Sequence, residues 1–486
     1  MNRRDHAMKE AGVIGEPQGT DQAGGSGLDN DKRQLAAAVA GFFRDRRLVV
    51  VSSRPTVNTW LLDFFRAHGL PMPFLVLGDT EGVPEDVPSH EIAVVASTID
   101  DWLRALEEQL LSPPAGLLAA LDAFDPDRRA VVLTPPLSQG VDTVLHRRCF
   151  GWRRPAWVRY EDKTVNSSVW NRAGVPAVPS TVVDFTPESL ASAFDALDRG
   201  AGVVVSADAS EGLHSGSARV IRVRDRAGLD KAHAFLSGQC GQAVVAPFVD
   251  GMSCTIHGMV FEKDVAVYRP IEQVILRDAE TFFPLLGGNA QWSPSQEDFA
   301  EARAMAKRVG EQLRDEAGYR GSFGVDAILT ADGFRAIEIN ARMGGFIVNG
   351  GPTAGVPLDL IHAMVTEGEQ AGIDPATLER VIVRGFDSVP GTSLVLPVRQ
   401  EVSGELRPLL LRHTPDGYRT VGANDPYDAA VRYVRTPVGG RVLLDFPARP
   451  FYAGVPLGPF AIAAIEAATR AWRLPAVAYT YATVVR

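Results

Sequence analysis

The chain has 486 residues, 45% of them apolar and 22% charged, with a net charge of −10. It is too long for one hydrophobic core and implies roughly two to four domains, while its acidic balance argues against nucleic acid or an anionic membrane as main partner. Cys149, Cys240 and Cys254 show neither metal-ligand spacing nor a paired framework, no apolar run approaches a membrane span, and the basic start lacks the apolar stretch of a secretory signal, so a cytoplasmic protein is expected.

In chain order, residues 1–33 are polar and rich in Gly, Asp and Gln, and are expected to form a disordered tail, with a short first helix from residue 34 to 43. Up to residue 157, short apolar runs (48–52, 74–77, 91–95, 130–135) alternate with helical patterns (59–69, 99–111). Strands alternating with helices predict a parallel α/β domain. The turn after its first strand carries Ser53, Arg54 and Asn58, which suits either a ligand or a plain capped helix start. No G-x-G-x-x-G occurs there, so a dinucleotide site has no support.

Residues 163–173 read as a helix stopped by Gly174 and two prolines. Lys163 stands in its first turn, where a cation opposes the helix dipole and makes better sense beside a bound anion; a surface lysine is the plain alternative. Strands at 202–206 and 218–223 flank a loop with Gly212, Ser215 and Gly216, whose backbone N–H groups are suited to covering phosphates. Residues 243–249 and 252–260 read as two strands around a sharp bend at Asp250-Gly251. The strand 268–276 embeds Arg269 and Glu272. Arg269 suits a substrate carboxylate held bidentately, and an ion pair with Glu272 is the structural alternative. The Gly/Pro/aromatic stretch 277–296 reads as a long substrate-lid loop, and 297–317 as an amphipathic helix. Residues 376–486 hold short strands (381–386, 393–398, 430–436, 440–446) and a last helix over 459–472, a small α+β domain.

Residues 318–345 organise the rest. Apolar or alternating runs at 324–329 and 334–340 surround Ala331-Asp332-Gly333, which predicts a hairpin. With those residues as the loop, Thr330 pairs with Phe334, and Asp326 falls opposite Glu338 on the same face. Strand alternation adds Asn340 and Arg342 to that face. Facing carboxylates repel unless a cation lies between them, and such oxygen donors suit Mg²⁺. A solvated outer face is the plain alternative; Arg342 and Gly344-Gly345, following at once, speak against it.

The run from Glu338 to Gly345, E-I-N-A-R-M-G-G, with Asp326 twelve residues before the glutamate, resembles the metal-binding strand of the ATP-grasp superfamily. Asp162-Lys163, a helix and Gly174-Val175-Pro176 are similar to the opening of that family's nucleotide domain. The resemblance implies an ATP-grasp fold of mixed α/β and α+β class: an N-terminal parallel α/β (pre-ATP-grasp) domain over 34–157, a nucleotide domain over 158–375 and a small C-terminal α+β domain over 376–486. It implies ATP and two Mg²⁺ ions, held by Asp326, Glu338 and Asn340, with Lys163 and Arg342 on the phosphates. By position it puts the adenine hinge at Ala246, Pro247, Phe248 and Val249, where Pro247 has no N–H to donate, and the ribose-binding acid at Ser253. Where the family carries a phosphate-binding lysine this chain has Ser206, and Arg219 or Arg222 are candidates to replace it.

Domain order resembles peptide ligases with a pre-ATP-grasp domain, the pheganomycin type in particular. That implies joining an amino-acid-like carboxylate to the amino group of a peptide or amino acid through an acyl phosphate, releasing ADP and phosphate, in natural-product biosynthesis. The implied partners are these small molecules, with no nucleic acid and no membrane, and a homodimer is left open. Ligation to a carrier protein, carboxylation and a non-catalytic nucleotide-binding module are the alternatives, the last motivated by Ser206 and Ser253.

Overall fold

The computed structural model describes residues 22–52, 58–94, 99–135, 140–212, 218–278, 282–348, 353–389, 391–398, 406–436, 439–447 and 451–482. The chain opens with α1 (Gln22–Phe43), β1 (Leu48–Ser52), α2 (Thr59–Ala67), β2 (Phe74–Leu77), β3 (Ser89–Glu91), α3 (Ile99–Leu111), α4 (Ala115–Phe124) and β4 (Val131–Leu133). The strands form a parallel sheet in the order β3-β2-β1-β4, as the alternation of strands and helices predicts. Every residue of β1 is buried, which explains its unbroken apolar run. α1 begins well before the expected Gln34. Its Leu35, Val39 and Phe43 recur at helical spacing and are buried, and Asp31 pairs with Arg380 at 3.0 Å. Tertiary packing therefore recruits polar residues that composition alone assigned to a tail. Ser53 and Arg54 lie outside the described residues, and Asn58 is buried at the start of α2.

After the two-residue strands β5 (Thr143–Val144) and β6 (Arg147–Arg148) come α5 (Pro155–Val158), a 3₁₀ turn over Lys163–Val165 and α6 (Asn166–Ala173). Asp162 caps that 3₁₀ turn by accepting from the Thr164 N–H, so Lys163 sits on a tight turn ahead of the helix rather than in it. A small antiparallel sheet follows, from β7 (Thr181–Asp184), α7 (Pro187–Leu197), β8 (Val203–Ala207), β9 (Val220–Val223), α8 (Leu229–Leu236) and β10 (Gln242–Pro247), in the order β7-β10-β8-β9. The large sheet is built from β11 (Met252–Val260), β12 (Val265–Ile275), β14 (Leu285–Asn289), β15 (Gly321–Thr330) and β16 (Gly333–Asn340), in the order β14-β12-β11-β15-β16. β10 and β11 belong to different sheets, so the bend at 248–251 is a crossing between two lobes. A Cβ on Gly251 would lie 2.5 Å from the Leu329 carbonyl oxygen, so the crossing needs glycine there. The stretch expected as a lid loop is instead partly strand: β13 (Arg277–Asp278) and β14 bracket residues 279–281, which lie outside the described residues, and β14 pairs with β12.

α9 (Gln296–Ala317) packs under the large sheet and leads into the β15–β16 hairpin. Thr330 pairs with Gly333, not Phe334, so the loop has two residues rather than the three expected. A β-bulge at Ile337 then restores the expected facing of Asp326 and Glu338. The bulge also reverses the alternation. Phe334 and Ala336 pair with Leu329 and Ala327 on the core face, whereas Glu338 and Asn340 share the face of Asp326.

The last third contains α10 (Gly345–Val348), α11 (Leu358–Thr366), α12 (Pro375–Phe386), a sheet of β17 (Gly391–Val398), β18 (Leu409–Thr414), β19 (Gly417–Val421), β20 (Ala429–Thr436) and β21 (Gly439–Pro447), then α13 (Gly458–Trp472) and β22 (Tyr479–Thr480). Residues 381–386, expected as a strand, are the end of α12. Asp374 caps that helix, Pro375 opens it, and Leu378, Val381, Ile382 and Phe386 form its buried stripe. Glu272, fully buried on β12, accepts hydrogen bonds from the Leu457 and Gly458 N–H groups at the head of α13, from the Tyr481 hydroxyl and from Asn289. It fastens the C-terminal unit to the large sheet.

Candidate functional site

One face of the large sheet carries a row of polar side chains on neighbouring strands. Thr255 on β11 pairs with Asp326 on β15, which pairs with Glu338 on β16, and Asn340 follows two residues on. Burial, and then the Glu338 charge, push the Asp326 carboxyl up to about 6, although Thr255 and Gln273 hydrogen-bond it and Lys163 lies near. The Lys163 ammonium contacts the Glu338 carboxylate. A cation already answers the paired carboxylates from across the chain.

Beside this row lies a cavity of about 180 Å³ between the small and large sheets. Lys163, Ser206, Glu338 and Ser253 line it, as do Ala246, Pro247, Phe248 and Val249 of the crossing. Sequence reasoning missed Arg277, Tyr481 and Ala482, which also line it. Arg277 pairs with Asp250 at 2.7 Å and stands 5.0 Å from the Phe248 ring. Tyr481 and Ala482 arrive because β22 pairs with β13, a contact spanning about two hundred residues.

A second cavity, of about 280 Å³, opens at the carboxyl ends of β1 and β4 and reaches α11. Arg342 faces it, not the first cavity. Its guanidinium contacts Glu161, and Arg153 reaches the other oxygen of the same carboxylate at 3.0 Å. Burial, with Arg153 nearby, lowers the Arg342 pKa to about 9, and burial lowers that of Arg153 to about 10. Glu338 lies on β16 and Arg342 lies two residues past its end, so this short stretch touches both cavities.

Residues 210–346 match the family model described as the ATP-grasp domain. That stretch is similar to the ATP-grasp domain over somewhat more than a quarter of the chain. The chain's mixed α/β architecture, with a parallel N-terminal sheet and antiparallel sheets beyond, is the ATP-grasp fold. Among solved structures it is similar to a biotin carboxylase–beta-gamma-ATP complex from Campylobacter jejuni, at 13% identity and a TM-score of 0.52, over 89% of this chain and 92% of that one. Carboxyaminoimidazole ribonucleotide synthase from Aspergillus clavatus, complexed with ATP, gives 13% identity and a TM-score of 0.50, over 88% and 99%. No curated protein matches the sequence.

Other expected residues of the ATP-grasp fold fall elsewhere. Arg269 lines neither cavity; its guanidinium bonds Asp387 and the Trp292 carbonyl, each at 2.8 Å, so its partner is not Glu272. Alternation explains this: Arg269 and Glu272 are three residues apart and take opposite faces of β12. Gly212 is exposed with φ +87°, and Ser215 and Gly216 lie outside the described residues. Arg219 is tied to the carbonyls of Glu211, Gly212 and Gln239, and Arg222 bonds the Ala201 carbonyl and stacks 3.4 Å from the Phe248 ring. Neither lines the first cavity, so Ser206 has no cationic replacement on β9 among the described residues. Burial raises the pKa of all three cysteines, in keeping with space-filling rather than reactive thiols.

Proposed function

We propose that this chain is an ADP-forming, ATP-dependent carboxylate–amine ligase. The observation that carries the reading is the end of β16 and the residues just after it, which present Glu338 to one cavity and Arg342 to the other within the stretch that matches the ATP-grasp model. ATP occupies the first cavity, its base beside the 246–249 crossing, where the Ala246 carbonyl and Val249 N–H supply backbone partners. Its phosphates extend toward Lys163. A substrate carboxylate attacks the γ-phosphorus, ADP leaves, and an amine displaces phosphate from the acyl phosphate to form the amide. Positioning and electrostatics dominate such chemistry.

The residues present fit Mg²⁺. Asp326, Glu338 and Asn340 offer oxygen donors on one face, and burial, followed by the neighbouring Glu338 charge, raises the Asp326 pKa. Mg²⁺ typically takes one or two carboxylates and completes its shell with phosphates and water. When bound there it would supply charge to the β- and γ-phosphates. Lys163 holds Glu338 in place meanwhile and is available to the phosphates.

The finer reading is a peptide ligase of the pheganomycin type, joining an amino-acid-like acid to a peptide amine in a natural-product pathway. It rests on domain order. A second reading, a non-catalytic or otherwise specialised ATP-grasp protein, is favoured by Ser206, which puts a neutral hydroxyl in the cavity where a lysine would bind phosphate. ADP release over a panel of acids and amines decides between them, and its complete absence leaves the second. Glu338→Ala is expected to lower ligase turnover by about a thousandfold with an unchanged circular dichroism spectrum. Wild-type rates in that variant would remove the assignment.

A further inference from the structure

The second cavity holds an arginine whose surroundings leave it unfinished. Arg153 is 8% exposed, and none of its side-chain nitrogens has a hydrogen-bond partner. Glu161 Oε1, 3.0 Å away, likewise accepts no hydrogen bond, because the N–H directions miss it. Buried donors without acceptors are costly, and native interiors rarely keep them unless something binds. The acceptor that suits a guanidinium fork is a planar oxyanion, taken bidentately.

We propose that this cavity binds an amphiphilic acid, with its single carboxylate on Arg153 and Arg342 and an apolar body of aromatic size against Trp102, Phe150 and Trp157. The proposal rests on the ligase reading for what happens to the acid. The cavity, of about 280 Å³, has walls that are mainly apolar, which suits a ligand with one charged end. Its polar rim limits that charge. Glu161 lies between the two arginines, Glu107 faces Arg153 from α3, and Asp359 and His362 line the wall from α11. A dianion would meet these carboxylates, whereas a monoanion is matched by the two guanidinium groups. Arg342 also places the carboxylate at the end of the row that leads to the nucleotide cavity, where an acid must stand to be phosphorylated.

Calorimetric titration of the full chain tests this with 3-phenylpropanoate and 3-(indol-3-yl)propanoate, their neutral amides, and 3-phenylpropylphosphonate. At least one acid is expected to bind, its amide at least tenfold more weakly, and the phosphonate no better than the acid. Arg153→Met should weaken the acid at least tenfold while Mg²⁺-ATP still binds at the other cavity. Arg153→Lys serves if the methionine variant does not fold, and should also lose affinity because the fork is gone. Binding of neither acid, an amide or phosphonate equal to the acid, or a folded variant that binds like wild type would overturn the proposal. ATP is titrated separately, so acids that fail where Mg²⁺-ATP binds sink this inference alone, and the converse sinks the nucleotide reading alone.

Discussion

Glu161 is shared by two guanidinium groups, and Lys163 answers a carboxylate on the far strand. At the scale of residues, the site therefore holds two separate sets of paired charges, one of them half-buried. His362 adds a titratable neighbour. Its Nδ1 accepts the Ser322 N–H at 2.9 Å, and burial, with Arg153 close by, lowers its pKa from 6.5 to about 4. As pH falls below 6.5, the unfolded chain takes up this proton first. The stability contribution is thus present above that pH and drains away toward pH 4. His362→Asn keeps an acceptor for Ser322 and removes the titration. Between pH 7 and pH 5 its unfolding free energy is expected to fall by about 1–2 kcal/mol less than that of wild type, measured by urea denaturation. Parallel pH profiles would contradict the burial argument.

Among the elements, the β16 bulge decides what the hairpin can do. Phe334, Ala336, Glu338 and Asn340 have the same parity in sequence, yet two face the core and two face the site. A regular strand would bury carboxylates or expose a phenylalanine. That switch from apolar to polar at one parity was the legible signal for a bulge, and a three-residue turn reached the same Asp326–Glu338 pairing without it. The strand expected at 381–386 failed for a related reason: β-branched residues favour strands, but the Asp374-Pro375 start and the spacing of buried residues make α12. Glu272 is the joint between elements. Glu272→Ala would leave the Leu457 and Gly458 N–H groups and the Tyr481 hydroxyl without this acceptor and the Asn289 amide with only the Val455 carbonyl, and is expected to destabilise the protein by about 3 kcal/mol, with the C-terminal unit loosening first in hydrogen exchange. Unchanged protection there would show that the joint lies elsewhere.

Across the whole molecule, a C-terminal segment closes the first cavity, where nucleotide is proposed to bind. Tyr481 and Ala482 line it, and β22 holds them there by pairing with β13. Ending the chain after Ala478 should weaken Mg²⁺-ATP binding about tenfold, roughly 1.4 kcal/mol, by calorimetry. Full affinity in the shortened chain would mean that this wall does not touch nucleotide. No helix among the described residues is long and apolar enough to cross a membrane.

The sequence alone determined what local rules encode. Alternation gave the parallel first sheet and a glycine-ended turn gave the hairpin, while the facing of Asp326 and Glu338 was reached from a three-residue loop where the structure uses a two-residue loop and a bulge. Only the tertiary structure decided the partners of the charges. It brought Lys163 to Glu338, turned Arg342 toward Glu161 and Arg153, bound Arg269 to Asp387, and carried Tyr481 to the first cavity. Those choices follow from burial, since a charge taken out of water must meet an opposite charge or a donor wherever packing places one, and no local window of sequence records that distance.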